Sequence, residues 1–68
     1  MTHTQLLNQL PAEIERVSKM ANTLSGHQQV INAYTAHFGE NPTRFNDAVY
    51  DVARVNVIFK NQGKKTLC

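Results

Sequence analysis

The chain's one cysteine is its last residue, Cys68, and that placement constrains the fold more than any other feature. It cannot close an internal disulfide. Three separated histidines, His3, His27 and His37, without further thiols do not make a structural zinc site, and each reads as a surface or half-buried helical residue. A chain of 68 residues that relies on a single core gains only about 3–5 kcal/mol from it, so self-association or a larger partner is expected in place of a staple. The length suits one domain and leaves no room for a separate catalytic one.

Pro11 and Pro42, with Gly26, Gly39 and Gly63, divide the chain into segments that all read as helix. Leu6, Leu7 and Leu10 suit a short helical turn or the start of a longer helix. From Pro11, placed as a first-turn residue, Ile14, Val17, Met20, Ala21 and Leu24 recur at three and four, predicting a helix over about 11–24. Glu15 stands four residues before Lys19, an arrangement that supports the helix. A second helix is expected over about 26–38, with Ser25 and Gln28 in the form of a capping box and Gly39 as the stop. The competing reading is one continuous helix. Leu10, Val17, Leu24, Ile31 and Phe38 fall every seven residues, which is the pattern of a partner-facing seam and leaves a homodimer open. Asn41 as cap and Pro42 as first residue predict a third helix over 42–61, with Phe45, Ala48, Val49 and Val52 on one face and Phe59 seven beyond. Residues 55–59 alternate like a strand, but nothing here could pair with one. The expectation is an all-α protein, a helical hairpin or a bundle of two to three helices over 1–61, followed by a basic tail at 62–68.

The net charge of +2 hides an asymmetry. Residues 1–53 carry Arg16, Lys19 and Arg44 against Glu13, Glu15, Glu40, Asp47 and Asp51, whereas 54–68 carry Arg54, Lys60, Lys64 and Lys65 and no acid. Such a tail is either a solvated end or a lure for an acidic surface, a membrane face or nucleic acid. No stretch approaches the length of a membrane span and no leader pattern precedes the first helix, so a cytoplasmic protein is expected. Carboxylate pairs such as Glu13 with Glu15 or Asp47 with Asp51 fit solvated helix positions. No phosphate loop, serine elbow or activated cysteine is visible, so neither an enzyme nor a cofactor or metal is expected.

Two helices meeting near Ser25-Gly26 could form a helix-turn-helix, in which Gln28, Gln29 and Asn32 would face the bases. No lysine or arginine stands between Lys19 and Arg44, and phosphate neutralisation dominates affinity for duplex DNA, which disfavours nucleic acid as the partner.

Ala36-His37-Phe38-Gly39-Glu40, then Phe45-Asn46-Asp47-Ala48-Val49, then Val57-Ile58-Phe59-Lys60 resemble the Kil peptides of lambdoid phages over about residues 33–65. Arg54 and Lys65 match further basic positions of that pattern. The linker is slightly longer here, no tryptophan occurs in the aliphatic run, and Asn56 replaces an apolar residue. The resemblance implies a small protein that binds FtsZ, the tubulin-like GTPase of the division ring, and blocks cell division in the host bacterial cytoplasm. The residue pattern fits a helix laid into a partner's groove, with Phe45, Val49, Val52 and Phe59 as anchors and Arg54 and Lys60 as rim contacts. The same four apolar residues could instead form the protein's own core. A small nucleic-acid regulator and an inhibitor of a host nuclease or polymerase remain as alternatives.

Overall fold

The computed structural model describes residues 3–68; the expectation for the side chain of His3 lies outside the described residues. Three helices follow one another: α1 (His3–Met20), α2 (Leu24–Phe38) and α3 (Phe45–Asn61). The all-α expectation holds.

α1 runs straight through Pro11. A proline inside a helix removes one backbone bond and costs about 3 kcal/mol. Here Leu6, Leu10, Ile14 and Val17 form one stripe on the core, while Pro11 faces solvent. Burial of that stripe outweighs the local penalty, so Pro11 is an interior residue and not the start of the helix. Glu15 and Lys19 make the anticipated ion pair at 3.1 Å.

The break between the first two helices exists, two residues before the expected place. Thr23 is extended (φ −105°, ψ 157°) and caps α2, its Oγ1 accepting the Gly26 N–H at 3.0 Å. Ser25 therefore lies inside the first turn instead of capping it. The interruption rotates the seven-residue seam apart. Leu10 and Val17 are buried, Ile31 and Phe38 are half-buried, and Leu24 is 93% exposed, so no continuous stripe remains. Gly39 ends α2 in the left-handed conformation (φ 76°), donating its N–H to the Thr35 carbonyl.

α3 begins at Phe45, later than the Asn41-Pro42 signal suggested. Arg44 precedes it in extended conformation and offers no side-chain cap. What fixes the start is tertiary: the Phe45 ring stacks on His27 with centroids 3.9 Å apart and planes within 7°. The far end is closed by a Schellman motif, with Lys64 N–H on the Phe59 carbonyl (2.8 Å), Gly63 N–H on the Lys60 carbonyl (3.2 Å) and Gly63 at φ 73°. The β-branched run 55–59 is helical throughout.

α3 is the central element, packed chiefly on α1 and less extensively on α2. Gln9 meets Asn61 and Glu13 meets Asn56, so α1 and α3 run antiparallel. His27–Phe45 and His37–Phe59 contacts (3.9 and 5.7 Å between centroids) join α2 to α3 with both numbers rising together, so these two run in the same sense. Residues 39–44 carry the chain back along α2. The core consists of Leu10, Val17, Val30, Val49, Val52, Ala53 and Val57, with Leu67 and Cys68 of the tail packed onto it. Among the described residues, no helix is long and apolar enough to cross a membrane.

Candidate partner-binding surface

Six residues were expected to meet a partner, and the fold separates them into three groups. Val49 and Val52 are 5% and 0% exposed and belong to the protein's own core, so in this conformation they present no surface. The reason is topological: α3 lies between two helices, and its apolar positions turn inward toward both. Phe45 and Phe59 are half-buried along the junction with α2. Phe45 rests on His27, while Phe59 meets the edge of His37 and has the Lys64 ammonium 5.5 Å from its ring centre. Arg54 and Lys60 are exposed, as their charge implied.

Of the outward stripe of α3, only Arg54 was singled out from the sequence. Tyr50 is 47% exposed, Arg54 follows four residues later, and half-exposed Ile58 four after that. Its signal was present as an aromatic, a cation and an aliphatic at helical spacing, but which face points outward depends on where α1 and α2 dock.

A polar cluster at the α1–α3 junction was also missed. Asn56, 1% exposed, accepts the Leu67 N–H on Oδ1 at 2.7 Å, and its Nδ2 donates to Glu13 Oε2 at 3.0 Å and to the Cys68 carbonyl at 3.4 Å. Arg16 pairs with Glu13 and donates from Nη2 to the same Cys68 carbonyl at 2.7 Å. The tail is thus not simply a solvated end. Residues 62–65 are exposed, and 66–68 fold back onto the helices. Beyond them the junction opens into a groove of about 620 Å³, lined by Asn8, Gln9, Glu13, Arg16, Lys60 and Asn61 among others.

Burial pushes the Glu13 carboxyl up, but hydrogen bonds from Arg16 and Asn56 and the charges of Arg16 and Lys60 outweigh it and hold the group below the usual carboxylate range. Burial pushes the Cys68 thiol up, only partly opposed by Asn56 and Arg16. Because Glu13 titrates lower folded than unfolded, its contribution to stability is complete above the ordinary carboxylate range and is lost as pH falls through the folded value. Glu13→Gln is therefore expected to lower the urea midpoint near neutrality. The gap between the two chains should narrow as the pH drops below about 4, and a gap independent of pH would show that the charge on Glu13 is not what matters.

Of the residues considered for reading bases, Gln28 donates to Asn32 at 2.9 Å along α2, and Gln28, Gln29 and Asn32 are all exposed. Among the described residues, no group of three His, Cys, Asp or Glu side chains is placed to hold a metal ion. No protein-family model, curated protein or solved structure matches the chain.

Proposed function

We propose that this is a non-catalytic binding protein that attaches to FtsZ in the bacterial cytoplasm and inhibits its assembly by covering a polymerisation surface. The observation that carries the binding role is the outward stripe of α3. Tyr50 and Arg54 belong to the residue types that most often anchor protein interfaces. The helix beneath them is held by Val49, Val52, Ala53 and Val57 in the core, so the stripe is presented with little left to order on binding. Lys60, Lys64 and Lys65 cluster at the end of the same helix, and such a field speeds encounter with an acidic partner. FtsZ as that partner is supported by the resemblance over residues 33–65.

The test is FtsZ sedimentation after GTP addition, with the chain in severalfold excess. Less pelleted polymer is expected, with recovery when Tyr50→Ala and Arg54→Glu are introduced together. Both positions are solvent-facing, so circular dichroism should show an unaltered fold. A charge placed at Val49 or Val52 would unfold the chain and report nothing about the contact. Unchanged polymer yield at excess would remove FtsZ as the partner.

A further inference from the structure

The clamp around Asn56 holds the tail mainly by its backbone. One carboxamide takes the N–H of Leu67 and gives a hydrogen bond to the carbonyl of Cys68, while Arg16 reinforces the second of these. An extended peptide whose last residue takes the Cys68 position offers the same N–H and oxygen. The side chains of Leu67 and Cys68 rest on the core, which asks only for an aliphatic residue followed by a small one. The open groove that continues from Glu13 and Arg16 has the size of a ligand cleft, about 300–1,000 Å³ in typical proteins, and is lined with further carboxamides, Asn8, Gln9 and Asn61. Gln9 and Asn61 bond to each other at 2.8 Å across the cleft and could exchange that bond for a peptide unit.

We propose that the α1–α3 junction is a peptide-binding cleft that reads an extended main chain, and that residues 66–68 are its internal occupant, displaced by an acidic segment of a partner protein. Release of the strap leaves the helix intact, because the Schellman bonds of Gly63 and Lys64 close α3 without help from residues 66–68. The charge distribution selects the occupant. Arg16 and Lys60 line the cleft against one acid, Glu13, which Arg16 already pairs, and the strap itself arrives behind Lys64 and Lys65; a second copy would bring those lysines to a net cationic lining, whereas acidic residues ahead of the aliphatic–small pair would meet Lys60. This assignment stands whether or not FtsZ is the partner.

The sole cysteine reports on the strap directly. The experiment is the rate of Cys68 alkylation by iodoacetamide in the full chain, with a synthetic peptide spanning residues 62–68 that carries Lys64→Glu, Lys65→Glu and Cys68→Ser. A tethered strap competes at an effective concentration in the millimolar range; for equal intrinsic affinities, peptide at that concentration displaces about half the straps and brings the rate to about half that of an unprotected thiol. The response should saturate, vanish when the peptide also carries Leu67→Asp, and weaken in the Arg16→Gln chain, whose basal rate should already be higher. The Arg16 side chain is 47% exposed and outside the apolar core, so that variant should keep its fold, which circular dichroism checks. A rate unmoved by the acidic peptide at millimolar concentration overturns the proposal. So does a basal rate that falls as the concentration of the chain alone rises, because each thiol is then covered in the cleft of a second copy.

Discussion

Gly26→Ala is expected to remove most of the stability of the fold. A Cβ built on Gly26 would sit 1.7 Å from the carbonyl oxygen of Met20 and 2.7 Å from its carbon, with Thr23 Oγ1 at 3.1 Å. The obstacle is main chain at the end of α1 and cannot swing aside as a side chain would. Relief requires α2 to move away from α1. That movement loosens Val30, which is fully buried, and disturbs the hydrogen bond between Thr23 and the Gly26 N–H. Overpacking costs about 1–3 kcal/mol and occasionally more, and loss of a cap about 1 kcal/mol. A core of this size contributes only about 3–5 kcal/mol in all. The local effect has the opposite sign, since alanine favours a helix over glycine by about 1 kcal/mol. Urea or thermal denaturation followed by circular dichroism therefore gives a clear answer: a large drop in midpoint or a loss of cooperativity is expected. A midpoint equal to or above that of the parent chain would mean that the two helices do not approach so closely at this corner.

That corner also shows why some of the fold was legible in the sequence and some was not. The helices themselves were legible, because apolar residues recur at three and four and the stops at Gly39 and Gly63 need backbone angles that glycine supplies. The break between α1 and α2 was legible as an event. Its position was not, because Thr23 and Ser25 both offer a hydroxyl and the choice turns on how closely Gly26 passes Met20. The same holds for Pro11, where a local preference for the first turn yields to the stripe from Leu6 to Val17. Asn41-Pro42 announces a helix that begins at Phe45 because a ring stacks on His27, a contact eighteen positions away that no local rule contains.

The candidate surface divides along the same line. Arg54 and Lys60 are outside because ionised side chains stay in water, which composition alone dictates. Val49 and Val52 could have faced either way. Periodicity says that they share a face but does not say whether that face is covered by the chain itself or by another protein. The strap was hidden by its own composition, since Lys64 and Lys65 read as a solvated end. Its trace in the sequence was Asn56, a lone carboxamide in the apolar run Val55–Phe59. An amide in such a place needs partners, and it finds them in Glu13 of α1 and in Leu67 and Cys68 of the tail.

Asn56→Leu should be the second severe substitution, for a reason that also accounts for the missing staple. Leucine has a similar size and a better helix propensity, worth about 0.5 kcal/mol, so a purely apolar site would gain from it. Asn56 instead joins segments distant in the chain: it reaches Glu13 across 43 residues and Leu67 across 11, while Arg16 reaches Cys68 across 52. Removing only the amide leaves the Leu67 N–H without its acceptor and takes one donor from Glu13 and another from the Cys68 carbonyl. Arg16 still serves Glu13 and the Cys68 oxygen, so the Leu67 N–H is the group left stranded, and a buried donor without an acceptor costs about 1–3 kcal/mol, more than the propensity gain. The chain can limit the damage by releasing the strap, which rehydrates those groups but exposes the surface that Leu67 and Cys68 now cover. The expected outcome is a loss of about 2–3 kcal/mol in urea unfolding, bounded by what the docked strap contributes. Alkylation separates this from a general loosening of the core. In Asn56→Leu, Cys68 should react nearly as fast as a free thiol under conditions where the helices remain folded. An unchanged or raised midpoint with Cys68 still protected would show that apolar packing alone holds residues 66–68, and the polar network would then have no claim to the role that a disulfide plays in other chains of this length.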